Sequence, residues 1–326
     1  FDVLAAASVI NDASTNLYGN AMESYFGRAT LPWQGRYLLS LSMRTDGSSR
    51  FAPGHRYGYF PSASAGWQVS REKWWKAHRS DLKLRVSYGA TGNQAGISNY
   101  AYQSLTYGGY NYNNKSGIAI LSYGNDKLTC EKATQFDVGA DLGFADGKVN
   151  FTVDYFSKNT TNLLYDMPIQ ATSGFTSITS NIGSMLNRGV EFAVNTNFNL
   201  GPVRWTMDFN ISYIRNRITS LIGDNDVLSI GGNRALQVGK DIGSFWVYKV
   251  IGIYQHDEEV PAPLYNIGVR AGDVKYQDVN GDGTIDINDR QILGSSTPKF
   301  YGGFNNTFRY KGFDVSVFFN YSYGAK

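Results

Sequence analysis

The sequence predicts an all-β fold, and within that class an antiparallel transmembrane β-barrel of which this chain is one part. Three observations carry the expectation. The first is a hairpin at 134–158. Phe136, Val138, Ala140, Leu142 and Phe144 alternate with Gln135, Asp137, Gly139, Asp141 and Gly143. After the turn Ala145-Asp146-Gly147, Val149, Phe151, Val153 and Tyr155 alternate with Asn150, Thr152 and Asp154. Side chains on a strand alternate faces, so each arm has one apolar and one wet side. Each arm is about 10 residues long, the reach of a tilted strand that crosses a membrane. The second observation is composition: aromatics reach 15% and charged residues only 17%, below the ~25% charged residues of soluble domains. The third is the parity of the connections, which alternate between short and long along the chain.

Taken in order, the strands are weak at first and then regular. A short, loosely alternating strand is predicted at 1–10, followed by a polar, turn-rich stretch at 11–20 and a second strand at 23–33. Gln34-Gly35 turns the chain into 36–46, where Tyr37, Leu39, Leu41 and Met43 oppose Ser40, Ser42 and Arg44. A loop at 47–56 precedes a strand at 57–70. Pro61 falls inside it, and because proline cannot donate to the ladder it requires a bulge or the strand's outer end. The link 71–80 holds Trp74 and Trp75, and Leu82, Leu84, Val86 and Tyr88 then mark a strand. A Tyr/Asn/Gly-rich loop at 91–132 leads into the hairpin, and a second long loop follows at 159–186. Two more strands, 190–199 and 203–213, meet at Leu200-Gly201-Pro202. The longest connection, 216–299, precedes a last hairpin of 300–310 and 313–323 about Lys311-Gly312.

That makes eleven strand candidates, about half of a barrel of roughly 22 strands. The parity fits outer-membrane barrels, with short periplasmic turns and long extracellular loops. Trp33, Trp67, Trp74, Trp75 and Trp205 lie at or near the short-turn ends, where a periplasmic aromatic girdle belongs. Leu39, Leu41, Leu84, Val86, Phe136, Val138, Phe151, Val153, Phe209 and Val317 are expected to face lipid.

Other classes find little support. No apolar run approaches the ~20 residues of a membrane helix. The net charge of +3 is small and scattered, which argues against nucleic acid as a partner. The single Cys130 excludes an intrachain disulfide. The chain begins in a strand-like run and stops just past another, without a signal peptide, so it reads as a piece of a longer protein. No catalytic residues are expected: there is no nucleophile elbow, phosphate-binding loop or dinucleotide fingerprint, and His55, His78 and His256 are scattered. A wet lumen accounts for Asp137, Asp141 and Asp154 without a paired-carboxylate hydrolase site.

One motif carries chemistry. Asp278, Asn280, Asp282, Asp286 and Asp289 stand at positions 1, 3, 5, 9 and 12 of a loop at 278–289. Gly283 occupies the sharp-turn position, Thr284 offers a backbone carbonyl at position 7, and Ile285 is the apolar anchor at position 8. This is the spacing of a calcium loop of EF-hand type, in which hard oxygen ligands wrap a large hard cation. Position 12 is Asp where the EF-hand has Glu. The expectation is one structural Ca²⁺, on the extracellular side. Strand parity fixes that side, since 203–214 runs outward from a short turn and 300–310 returns to one.

Several stretches resemble a single family. Arg44-Thr45-Asp46-Gly47-Ser48-Ser49-Arg50-Phe51 and Arg56-Tyr57-Gly58-Tyr59-Phe60-Pro61-Ser62-Ala63-Ser64-Ala65-Gly66-Trp67 are similar to the barrel signature of SusC/RagA-type TonB-dependent transporters. So are Leu84-Arg85-Val86-Ser87-Tyr88-Gly89, Asn187-Arg188-Gly189-Val190-Glu191 and Gly272-Asp273-Val274-Lys275-Tyr276. The resemblance implies that 1–326 is the C-terminal part of such a barrel in the outer membrane of a Gram-negative bacterium. It further implies import of oligosaccharides or peptides without enzymatic chemistry. The implied partners are the TonB complex, acting through an N-terminal region, a SusD-like surface lipoprotein, and outer-membrane lipid. The long loops would meet the substrate or the lipoprotein, with Tyr107, Tyr110, Tyr112 and Tyr123 available to stack or pack. The alternative is an adhesin or structural barrel acting through its extracellular loops.

Overall fold

The computed structural model describes residues 18–326, apart from 111, 114, 116 and 224–226. The strand expected at 1–10 lies outside the described residues. Among the described residues, ten strands form one antiparallel sheet in sequence order. They are β1 Met22–Trp33, β2 Tyr37–Ser48, β3 Tyr57–Gln68, β4 Ser80–Asn93 and β5 Glu131–Phe144. They continue as β6 Val149–Thr161, β7 Gly183–Leu200, β8 Val203–Leu221, β9 Phe300–Tyr310 and β10 Phe313–Tyr323. All ten were expected from alternation. Among the described residues the sheet does not close, and β1 and β10 each have one neighbour.

The register puts like with like. Leu31, Leu39, Ala65, Val86, Val138, Tyr155, Val190, Tyr213, Phe300 and Tyr323 form one continuous row across all ten strands. Large apolar side chains of this face lie open, with Val138 45% and Leu41 46% exposed. In a soluble protein such a face would drive association, and in a bilayer it is the lipid contact. The opposite face carries Ser42, Ser62, Ser87, Arg85, Asp137, Asp141 and Asp154. The short turns use backbone that few residues adopt: Lys311 and Gly312 both have positive φ (49° and 103°), the geometry of the two-residue hairpin.

Several strand boundaries differ from the sequence expectation. β3 ends at Gln68, after which Val69–Arg71 forms a 3₁₀ turn with Val69 buried. β4, β5, β6, β7 and β8 extend further than alternation indicates, so the long connections shrink to 94–130, 162–182 and 222–299. Pro61 pairs with Met43 on β2, whereas the β3–β4 ladder begins only at Ser62 opposite Gly89. The proline therefore sits where its strand has lost one neighbour, which is where a missing N–H costs least. Above this split Phe60 turns inward and is buried, its ring close to Gly58 and Gly92.

Candidate functional site

Because the sheet is a simple antiparallel meander, alternate connections emerge at opposite ends of the wall. The short turns at 34–36, 145–148, 201–202 and 311–312 and the link 69–79 share one end. The connections 49–56, 94–130, 162–182 and 222–299 share the other. The girdle sits at the short-turn end: Tyr37 packs between Trp33 and Trp67, with ring centroids 5.5 and 6.3 Å apart. Trp205 stacks between Phe198 and Phe308 at 6.0 and 6.3 Å. Glu72, in the link, ties this end together. Its carboxylate accepts from Arg36 Nη1 at 2.7 Å, the Tyr37 hydroxyl at 2.5 Å and Trp67 Nε1 at 3.0 Å. Those donors, the Tyr37 hydroxyl first, hold its carboxyl below the usual glutamate range.

The wet face is a hydrogen-bonded wall. Arg85 donates through Nε and Nη2 to both oxygens of Asp141 at 2.8 and 3.0 Å, and Nη2 reaches Asp154 at 3.0 Å. Thr152 Oγ1 adds a bond to Asp141 at 3.3 Å. Ser87 Oγ and Gln135 Nε2 donate to Asp137 at 3.0 and 2.7 Å. The two nearest carboxylates thus share one guanidinium, an arrangement for a structured aqueous wall and not for a free acid and base set about a scissile bond. Toward the long-loop end, the wall opens into a cavity of about 880 Å³ beside the β3–β4 split. Arg44, Asp46, Arg50, Arg56, Phe51 and Phe60 are among its lining residues. Arg44 is neutralised by Asp46 at 2.8 Å. Among the described residues the Arg50 and Arg56 side chains bond only neutral groups: Asn99 Oδ1 at 3.1 Å and the Gln94 carbonyl at 3.4 Å for the first, the Phe51 carbonyl at 3.3 Å for the second.

The long connections are not loose. Phe51, Ile97 and Leu128 form a small core that brings 49–56 against 94–130, with Leu164 and Cys130 packed on it. Burial there pushes the Cys130 thiol up. Ile182, Ile218 and Leu236 form a second core that joins 162–182 to β8 and 222–299. Tyr254, Val260 and Leu264 form a third inside 222–299. Tyr107, Tyr110, Tyr112 and Tyr123 all stay exposed. Tyr123 meets Phe175 edge-on at 5.7 Å, so two connections touch through aromatic rings.

The structure also places the predicted calcium ligands. Ile285 packs on the third core, as the anchor position requires. Asp278 accepts from the amides of Gly281 and Gly283 at 2.6 and 2.8 Å, which folds the turn around its carboxylate. Asn280 Oδ1 accepts from the Asp282 amide at 3.2 Å. Asp282 accepts from the amide and hydroxyl of Thr284 at 2.8 and 2.6 Å, and the hydroxyl bond chiefly holds its carboxyl low. Asp286 caps the 3₁₀ turn Ile287–Asp289 through the Asn288 amide at 2.8 Å. Asp289 is fully buried and accepts from the amides of Val279 and Asp286 at 2.7 and 2.8 Å. Among the described residues no three acidic, His or Cys side chains gather as a metal centre. The ligand candidates thus share one loop, with each carboxylate bonded to backbone or neighbouring side chains. A carboxylate has about four lone-pair positions, so one or two amide bonds leave oxygen capacity for a cation.

A lipid-facing apolar band, a wet inner wall, an aromatic girdle at the short turns and a packed cap at the long ones define an outer-membrane β-barrel. Residues 2–325 match the family described as TonB dependent receptor-like, beta-barrel. The TonB-dependent receptor P39 of Formosa agariphila is 34% identical over 97% of this chain and 34% of its own length. The TonB-dependent receptor SusC of Bacteroides thetaiotaomicron is 33% identical over 91% of this chain and 30% of its own length. Among solved structures, the RagAB peptide importer in its closed-closed state superposes with a TM-score of 0.83 at 25% identity, covering 99% of this chain and 36% of that one. The chain belongs to the TonB-dependent receptor β-barrel family, in its SusC/RagA-type branch, whose members reside in the outer membrane of Gram-negative bacteria. It spans about a third of the length of the curated relatives it matches.

Sequence reasoning missed Glu72 and the three small cores. Glu72 sits in a link without periodicity, and only the nearby Trp pair points to that region. Phe51, Ile97 and Leu128 are isolated apolar residues in polar stretches, brought together by the fold alone.

Proposed function

We propose that this chain forms part of the wall and extracellular cap of an active importer of oligosaccharides or peptides. Import is energised by the TonB complex, and a SusD-like surface lipoprotein supplies the substrate. The observation that carries this reading is the likeness, over 99% of the chain and with a TM-score of 0.83, to a solved peptide importer. The polar inner wall and the cavity beside the β3–β4 split support a water-filled route. The joined connections 94–130, 162–182 and 222–299, with Tyr107, Tyr110, Tyr112 and Tyr123 exposed, support a surface that meets substrate or lid. The test is uptake by cells carrying the full-length protein. Depletion of an oligosaccharide or peptide mixture should stop when the gene is deleted and equally when TonB is inactivated. Shortening 222–299 should reduce both uptake and recovery of a surface lipoprotein with the purified barrel. Uptake that survives loss of TonB would contradict the proposal.

We further propose that the loop 278–289 takes one structural Ca²⁺. Asp278, Asn280, Asp282 and Asp289 would ligate through side chains, Thr284 through its carbonyl, and Asp286 directly or through water. The oxygen spacing, the Gly283 turn and the docking of Ile285 support this reading. A cation there would offset repulsion among four carboxylates and order a long connection. Calcium titration of the full-length protein should show one site saturating at or below about a millimolar, the weak end of the extracellular range. Asp278→Asn with Asp282→Asn should abolish it. An absence of binding at that concentration would leave an Asp-rich turn.

A further inference from the structure

The outward face of β6–β8 carries three arginines that import does not use. Arg188 on β7 and Arg215 on β8 stand directly opposite each other, and Arg217 is the next outward residue on β8. All three are exposed. Among the described residues none of them makes an ion pair or a side-chain hydrogen bond. The acids of the same strands, Asp154, Glu191 and Asp208, occupy positions of the other parity and so face the lumen. Like charges set directly across a strand pair repel. This patch therefore sits in the sheet at a cost that no neighbouring side chain offsets.

Its height identifies what does. Arg215 follows Trp205 of the periplasmic girdle by ten residues on one strand. At about 3.3 Å per residue and a tilt of about 40°, that is a rise of about 25 Å, the height of the apolar band of an outer-membrane barrel. The arginines thus stand at the outer boundary of the hydrocarbon, in the headgroup layer of the outer leaflet. Below them Tyr155, Val190, Tyr213 and Phe300 form an apolar row. Lys132, also outward and exposed, lies just as far from its own short turn on β5. A guanidinium fork matches phosphate oxygens bidentately, and a pair of forks over an apolar floor fits a molecule with phosphates at one end and acyl chains at the other.

We propose that Arg188, Arg215 and Arg217 form a binding site for the phosphorylated headgroup of an outer-leaflet glycolipid, lipopolysaccharide in kind, whose acyl chains lie on the Tyr155–Phe300 row. The site rests on the membrane setting of the wall and not on import.

The full-length protein, purified in detergent and stripped of lipid, tests it with three probes: phosphorylated lipid A, the same lipid A with its phosphates removed, and inorganic phosphate. The intact protein should bind phosphorylated lipid A roughly tenfold more tightly than the dephosphorylated form, and the triple variant R188Q/R215Q/R217Q should lose that preference. Inorganic phosphate at millimolar concentration should neither bind the patch detectably nor displace the lipid. Equal binding of the two lipids by the intact protein would overturn the proposal, as would an unchanged preference in the triple variant. Saturation of the patch by inorganic phosphate alone would reassign it to a free anion and likewise overturn the lipid site. Should the triple variant not fold, as judged by loss of heat-modifiable mobility, the comparison of the two lipids on the intact protein decides.

Discussion

Glu72 shows how a single carboxylate organises the short-turn end of the wall. It gathers donors from the β1–β2 turn, from β2 and from β3, and so fixes the link 69–79 beneath the girdle. Its folded pKa lies below the ordinary value. The stability it contributes is therefore fully present above the unfolded carboxylate pKa and is lost as pH falls through the lowered folded value. Glu72→Gln should lower the heat-modification temperature of the full-length protein at neutral pH. It should also flatten the loss of stability on acidification across that window. An unchanged acid limb would remove Glu72 from the account. The loop 278–289 is the complementary case at this scale. Its candidate ligand residues were legible because carboxylate, amide and glycine spacing is a covalent property of the sequence. The hydrogen bonds that occupy Asp286 and Asp289 were not, although they are local: the two carboxylates cap the 3₁₀ turn Ile287–Asp289 reciprocally, a pairing that the cation-ligand spacing does not reveal.

Strands were the most legible elements, since one face meets lipid and the other water and period-two alternation follows directly. Their upper ends were not. Where β4 and β5 rise above the bilayer, Thr91, Gly92 and Asn93 pair with Ala133, Lys132 and Glu131, and both faces are polar. The ladder continues there while the hydrophobic pattern stops. The same contrast yields a prediction at this scale. Val138→Arg, in the outward apolar row, should destabilise the barrel by about 2–4 kcal/mol if it lies near the bilayer midplane. Asp154→Asn, on the lumenal face beside Arg85, removes one partner of a solvent-reached ion pair and should cost about 0–1 kcal/mol. Reversible urea unfolding in lipid vesicles measures both. A larger loss for the lumenal change would reverse the assignment of faces.

For the whole molecule, the apolar residues divide between two roles. Those of the wall lie open to lipid, while most of those that are buried gather in the small cores of the long connections. The wall is thus held by its ladder and by the membrane, and the cap by packing of its own. The edges of β1 and β10, open among the described residues, fit an arc of a larger barrel, because a bilayer does not tolerate unpaired backbone. The most direct measurement is cysteine-scanning accessibility of the full-length protein in intact cells, first replacing Cys130 with Ser. Single cysteines would run along β5 from 134 to 144, with others at Gly312 and Ile287. A membrane-impermeant maleimide should label positions 135, 137, 139 and 141 through the lumen and position 287 from outside. Positions 136, 138, 140 and 142 should react only with a lipid-soluble reagent, and position 312 only after the outer membrane is permeabilised. Labelling without alternation along β5, or labelling of position 312 in intact cells, would contradict it.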